Sequence, residues 1–264
     1  MTYPTIDPVL IQFGPLQLRW YGLMYIFGFL AAYFIFLRGS KKGTHDLSKK
    51  EIGDLLTYCI AGLVIGARLG YCLFYNFSYY LHHPLKILAV WEGGMSFHGG
   101  ALGVLIVGWI FSIRNNKPFF TLADLGALAA PIGLFFGRIG NFINGELYGR
   151  KTDVPWGMVF PGAGDFPRHP SQLYEALLEG LVLFLILFLL SRRRRARGFL
   201  FGTFLSGYGL FRFLIEFYRE PDPQLGFVLG PFTMGQILCA IMMACGVYVV
   251  RRSRIWEKSE YDEV

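Results

Sequence analysis

The stretch "LGALAAPIGLFFGRIGNFINGE" (residues 125–146) decides how the chain is read. Up to Phe136 it is apolar or small; from Gly137 to Glu146 it carries an arginine, two asparagines and a glutamate. An uncharged run that ends abruptly in polar groups has the pattern of a helix leaving a membrane. Charges at such a boundary are costly to dehydrate, so each needs a partner or a task.

Working outward, the same pattern recurs. The chain has 264 residues, 54% of them hydrophobic and 16% charged, where soluble domains run at about 25% charged. Apolar runs near 20–37, 55–75, 97–113, 119–137, 172–190, 199–217 and 231–250 approach the roughly 20 residues that span a bilayer. They lack the period-two alternation of a closed β-barrel. The reading is an all-α integral membrane protein with seven transmembrane helices. The short amphipathic stretch "HHPLKILAVWEGG" (82–94) reads as an interfacial or re-entrant piece. There is no basic start with a small-residue cleavage site, so the first span is expected to stay in the chain. With no internal repeat or low-complexity linker, residues 1–264 are expected to form a single transmembrane domain.

Lysine and arginine set the expected orientation, because cytoplasmic loops carry their excess. Segments 38–54, 114–118, 191–198 and the tail after Val250 hold sixteen of the 25; the opposite side holds seven, and Arg68 and Arg212 lie inside spans. This places the N-terminus outside and the C-terminus inside. The net charge of +7 is then a lipid-facing excess that calls for a bilayer and no nucleic acid. Cys59, Cys72, Cys239 and Cys245 all fall inside spans without ligand spacing, and read as small packing residues; no metal site is expected.

On this topology the polar groups gather at one end. Tyr21, Arg68, His98, Glu175 and the group Arg138, Asn141, Asn144 and Glu146 all come to the outer halves of their spans, with Asp124 the exception. Tyr208, Arg212 and Glu216 recur every four residues with Arg219 three further on, so they share one helical face. One polar cavity opening outward is expected. Arg138 and Arg212, arriving from separate helices with few bases such as carboxylates nearby, suit a dianion or a phosphodiester, since guanidinium binds phosphate through planar paired hydrogen bonds. An Arg212–Glu216 pair that only neutralises itself is the plainer alternative. His98, in "HGG", is read either as a hydrogen-bonded packing residue or as a functional one. The glycine-rich loop 137–149 could offer backbone N–H donors to an anion.

"GRIGNFINGELYG" (137–149) resembles the signature of the prolipoprotein diacylglyceryl transferases of bacterial inner membranes. "RWYGLMY" (19–25), "HGG" (98–100), "HPSQLYE" (169–175) and "YGLFRFLIEFYRE" (208–220) extend the likeness from the first span to the sixth. The resemblance implies seven transmembrane helices with a small periplasmic head, here residues 141–170, between spans four and five. It implies transfer of the diacylglyceryl group of phosphatidylglycerol to the lipobox cysteine of a preprolipoprotein that still carries its signal peptide. Glycerol 1-phosphate leaves, no cofactor or metal takes part, and the active site faces the periplasm. Under this reading His98, Arg138, Arg212 and Glu216 are the candidate catalytic residues. Tyr21, Arg138, Asn141, Glu146, Gly149, Tyr208 and Arg212 are the candidate substrate-binding residues. His98 takes the thiol proton or holds the head group, Arg138 and Arg212 stabilise the departing phosphate, and Glu216 and Glu146 orient those arginines.

An organic-anion transporter would share an arginine-lined cavity, but inverted repeats and charges near the midplane are expected of it. A metal-dependent lipid phosphotransferase needs clustered aspartates, and the spans contain only Asp124. A non-catalytic lipid-binding or chaperone protein needs no arginines at a leaving group.

Overall fold

The computed structural model describes residues 1–4, 6–14, 16–220 and 227–262. The chain opens with a hairpin, β1 (Val9–Phe13) and β2 (Leu16–Arg19), which pair antiparallel around Gly14 at φ 56°. Helices α1 (Trp20–Lys41), α2 (Lys49–Phe74), the short α3 (Phe77–His82), α4 (Phe97–Arg114) and α5 (Phe119–Ile143) follow. After a long connection come α6 (Ser171–Ser191) and α7 (Phe199–Ile215). A second hairpin, β3 (Phe227–Leu229) and β4 (Phe232–Thr233), leads into α8 (Met234–Asp262). Six helices are long and apolar enough to cross a membrane; α7, where a seventh span is expected, is a shorter apolar helix of 17 residues. The protein is a mostly helical, multi-pass membrane protein. The two hairpins are an addition to the all-α expectation: both are too short to give a periodic signal of their own.

Helix ends follow local chemistry. Ser48 and Glu51 form a reciprocal capping box at the start of α2. Asp124 accepts hydrogen bonds from the amides of Gly198 and Phe201 at 2.7 and 2.8 Å, so this half-buried acid caps α7 from another helix. α6 is irregular: an α-helical turn ends at Glu175, a π-helical stretch runs through Ala176–Val182, and regular helix resumes at Leu183. Such wide turns concentrate at functional sites.

The chain divides into two compact units, Met1–Ile35 with Asp124–Val264, and Phe36–Ala123. In the second unit α2 lies against α4 through a row of glycines. A Cβ on Gly66 would lie 2.4 Å from the Gly99 carbonyl oxygen, and one on Gly103 would lie 2.1 Å from that of Gly62. The four-residue spacing of Gly62, Gly66 and Gly70 facing Gly99 and Gly103 is the small-residue contact that lets membrane helices approach closely. Segment 82–94 forms the end of α3 and two 3-10 turns, Pro84–Leu88 and Val90–Glu92, with Leu85, Leu88 and Trp91 exposed.

Arg68 explains how that segment is held. Its guanidinium, 3% exposed, donates to the carbonyls of Lys86, Ile87, Ala89 and Gly94 at 2.5, 2.9, 3.0 and 3.2 Å, and also to that of Gly93. This corrects the expectation that Arg68 serves a shared polar cavity: its donors are spent on backbone. On the other side of the unit, Lys117 pairs with Asp46 at 2.9 Å. That hydrogen bond holds the Asp46 carboxyl below its ordinary range and raises the Lys117 ammonium.

In the first unit α1 crosses α5 where a Cβ on Gly28 would meet the Gly133 Cα at 3.2 Å, and Tyr21 covers Gly140. α7 meets α8 at Gly202 and Gly209, where a Cβ would come within 2.7 and 3.0 Å of the Gly246 and Cys239 carbonyl oxygens. The 145–170 connection is pinned by isolated bridges, Lys151 with Arg168 and Gly149 with Arg219, and Thr2 pairs with Val159. Tyr3, Phe160 and Ala163 form a small core there with Phe142, Tyr148 and Met158. The Tyr3 hydroxyl donates to the carbonyls of Phe142 and Ile143 at the end of α5, and burial raises its phenol above the usual range.

Candidate functional site

Four segments of the first unit deliver charged side chains to one place. Arg138 comes from the last turns of α5, Glu175 and Glu179 from α6, Arg212 from α7, and Glu216 and Arg219 from the residues just after it. Glu175 is the hub. Its carboxylate lies 2.6 Å from Arg138 Nε, 2.9 Å from Arg212 Nη1 and 2.7 Å from Arg219 Nη1. Glu216 Oε2 lies 2.9 Å from Arg212 Nη2 and 3.7 Å from Arg219 Nε. Glu179 stands further off, 3.7 Å from Arg138 Nη2 and 3.8 Å from Arg212 Nη1, and among the described residues neither of its oxygens accepts a hydrogen bond. Both Glu175 and Glu179 are 0% exposed.

The expectation that Arg138 and Arg212 converge is met by this geometry; the expectation of few nearby carboxylates is not. Three arginines face three glutamates, so the cluster is charge-balanced. The reason is dehydration: guanidinium groups this deep are stable only against opposite charge, and removing one member of such a buried pair costs about 3–5 kcal/mol. Tyr208, one turn before Arg212 on α7, interacts electrostatically with Glu179, Arg212 and Arg138, so the four-residue recurrence in α7 does place Tyr208, Arg212 and Glu216 at one site.

A second polar group lies at the end of α5. Glu146 Oε1 accepts from Asn141 Nδ2 at 2.9 Å and Asn144 Nδ2 at 3.0 Å, and the Glu146 carbonyl accepts from Gln172 Nε2 at 2.6 Å. The Tyr21 hydroxyl lies 3.3 Å from the Tyr25 hydroxyl and feels the Asn141 side chain and the Glu146 carboxylate. Tyr21, Asn141 and Glu146 are thus brought together. Glu146 corrects the sequence reading, because it holds asparagines in place and, among the described residues, pairs with no arginine.

The glycine-rich loop is also different from expectation. The amides of Gly145, Glu146, Gly149 and Arg150 are taken by the carbonyls of Phe142, Asn141, His169 and Tyr218. They have no donor left for an anion. Gly149 is needed for close approach, since a Cβ there would lie 2.4 Å from the Tyr218 carbonyl oxygen. Beside it, Tyr174 takes a hydrogen bond from Trp156 Nε1 at 2.7 Å and meets His169 Nδ1 at 3.1 Å. Burial pushes the His169 imidazole below the usual histidine range.

His98 belongs to the other unit. It sits in the first turn of α4, whose N-cap Ser96 accepts from the Gly99 amide. Its side chain is exposed and its ring meets Phe97 edge-on at 5.7 Å. Neither a structural hydrogen bond nor a base partner is formed by His98 among the described residues.

The residues that sequence reasoning left without a role are Glu175, Glu179 and Arg219. A signal for the first two exists: they are four apart in an otherwise apolar helix, the same spacing that marks Arg212 and Glu216. Among the described residues, no group of three or more His, Cys, Asp or Glu side chains is placed to hold a metal ion.

Comparison with known proteins bears on what this arrangement does. The family profile described as prolipoprotein diacylglyceryl transferase matches residues 8–252. A phosphatidylglycerol–prolipoprotein diacylglyceryl transferase of Geobacter sulfurreducens is 58% identical over 247 residues, 94% of this chain and 95% of its own length. Proteins with the same description from Nitratidesulfovibrio vulgaris and Methylococcus capsulatus are each 52% identical over 252 residues, 95% of this chain and 96% of theirs.

Proposed function

The chain belongs to the prolipoprotein diacylglyceryl transferase family, and on that premise we propose the following activity and mechanism. The enzyme transfers the diacylglyceryl group of phosphatidylglycerol to the thiol of a prolipoprotein cysteine, the first step of bacterial lipoprotein maturation. The acceptor is the lipobox cysteine of a precursor that still carries its signal peptide. A carbon–sulfur bond forms at the glycerol carbon that bears the phosphoester. The carbon–oxygen bond there breaks, its electron pair stays on the phosphate, and glycerol 1-phosphate departs.

One observation carries the assignment of residues. Arg138 and Arg212 reach the same carboxylate from different helices, at 2.6 and 2.9 Å. Two guanidinium groups converging on one anion are already arranged for a phosphodiester, and they stabilise the negative charge that grows on the leaving phosphate. Glu175 holds them in register, and Glu216 orients Arg212 along with Arg219. Tyr208 completes this wall. Tyr21 and Asn141, fixed by Glu146, offer hydrogen bonds to the polar part of the substrate, and Gly149 shapes the backbone around them. His98 is assigned one of two roles, taking the thiol proton or holding the donor head group. A cysteine thiol ionises near 8.5, so only a minority is nucleophilic at neutral pH without such a base.

The layout follows the charge bias. Seven spans, with α7 the seventh, put the N-terminus outside and the lysine- and arginine-rich segments inside. The 141–170 segment then forms a periplasmic head above an active site in the outer leaflet of the bacterial inner membrane, where exported precursors present their cysteine.

The decisive assay uses purified protein, phosphatidylglycerol and a lipobox peptide, and measures released glycerol phosphate. Arg138→Ala and Arg212→Ala are expected to lower turnover about 10²–10³-fold per folded protein, a larger drop than any loss of accumulation explains. Near-normal turnover in either removes the phosphate-grip role.

A further inference from the structure

We propose that Thr233 is a positioning residue for the transfer reaction: at the start of α8 its hydroxyl fixes Glu216, and through Glu216 the aim of Arg212. The inference rests on the reading of the arginines given above.

The start of α8 is built as a capping box. The Gln236 amide donates to Thr233 Oγ1 at 3.3 Å, and the Thr233 amide donates to Gln236 Oε1 at 3.0 Å. Both side chains are buried, with Thr233 4% and Gln236 2% exposed. A capping hydroxyl normally finishes its work by accepting from the helix. Here it also has a proton to give, and it donates to Glu216 Oε1 at 3.0 Å. The other Glu216 oxygen pairs with Arg212 Nη2 at 2.9 Å and faces Arg219 Nε at 3.7 Å. The Glu216 carboxylate is therefore split between two tasks, one oxygen on the helix cap and one on the arginines.

Two further features favour this arrangement. The N-terminal end of a long helix carries partial positive charge, which stabilises a carboxylate placed there. Gly235 leaves the space: a Cβ at that position would lie 2.9 Å from Glu216 Oε1. A carboxylate held by the arginines alone could swing with them. Anchored to a helix start, it gives Arg212 a fixed direction before lipid arrives, which is what a group that acts on a transition state requires.

The test compares Thr233→Val, which keeps the shape and removes the hydroxyl, with Thr233→Ser, which keeps it. Kinetics are measured against phosphatidylglycerol and against the lipobox peptide separately. Loss of a hydrogen bond to a charged group predicts a fall of about tenfold or more in kcat/KM for the lipid in Thr233→Val. The KM for the peptide should stay unchanged, and Thr233→Ser should restore activity to within about twofold. In a Glu216→Gln background, Thr233→Val should add no further loss, because the two act in series. Wild-type lipid kinetics in Thr233→Val overturn the proposal, as does an equal defect in Thr233→Ser, which points to packing alone. If Thr233→Val does not accumulate, Gly235→Ala perturbs the same carboxylate from its other side, and unchanged lipid kinetics there overturn it equally. Full turnover in Glu216→Gln instead defeats the underlying reading of the arginines, and so tells that failure apart from this one.

Discussion

Arg68 and Arg212 are the two arginines that sequence places inside membrane spans, and the structure uses them in opposite ways. Arg68 gives its donors to main-chain carbonyls between Lys86 and Gly94. Arg212 donates to the carboxylate of Glu175 and forms an ion pair with that of Glu216. Carbonyls of a folded segment are neutral and fixed, so an arginine bound to them is structural and has nothing to exchange. Side-chain carboxylates are anions on rotatable stems, and another anion can take over part of their work. The kind of partner, rather than burial or depth, separates the arginine that holds the fold from the one proposed to hold the substrate.

Several substitutions can break or sharpen this contrast. The largest effect is expected from Arg212→Ala, with Arg138→Ala close behind: a loss of about 10²–10³-fold in kcat per folded protein, on top of the lower stability that a buried carboxylate left without its arginine brings. Arg68→Ala should behave in the reverse way. It leaves several buried carbonyls without donors, at about 1–3 kcal/mol each, so thermal stability and accumulation fall, and the residual folded protein should keep its KM for phosphatidylglycerol. A lipid KM that rises as steeply in Arg68→Ala as in Arg212→Ala would erase the distinction.

Smaller effects test the carboxylates. Glu175→Gln removes the charge that three arginines share, and should cost both stability and turnover. Glu179→Gln should cost less, since no hydrogen bond from the described residues reaches either Glu179 oxygen; rate and melting temperature of the two variants side by side decide the order. In the second unit, Gly103→Ala sets a methyl 2.1 Å from the Gly62 carbonyl oxygen. It should destabilise the α2–α4 contact by about 1–3 kcal/mol, read as a lower melting temperature with an unaltered lipid KM. The finest test is His98→Gln. A base role predicts loss of the pH dependence of transfer near neutrality, and an unchanged profile leaves His98 with packing alone.

Much of this protein is legible in the sequence because membranes impose simple rules. An uninterrupted apolar run must be helical to satisfy its own backbone, so α1, α2, α4, α5, α6 and α8 follow from composition and length. The four-residue spacing in "YGLFRFLIE" puts Tyr208, Arg212 and Glu216 on one face before any fold is known. The motif 137–149 and its companions are dense enough to mark the family. Partner choice is a different matter. Glu146 stands near Arg138 in the chain yet bonds to Asn141 and Asn144, while Glu175, distant in sequence, closes on Arg138. Asp124 turns out to cap α7, and the amides of Gly145, Glu146 and Gly149 bond to the carbonyls of Phe142, Asn141 and His169.

The sequence by itself determined that this chain crosses a membrane repeatedly, which family it belongs to, and that arginines from separate helices have to be reconciled with hydrocarbon. Only the tertiary structure decided which carboxylates answer which arginines, that Glu179 and Arg219 join the cluster, and that Arg68 serves the backbone. The reason is range. Periodicity and transfer free energy act along a single helix and can be read from local composition, whereas pairing of buried charges depends on distances of a few ångströms between helices far apart in the chain, set by where glycines let those helices touch.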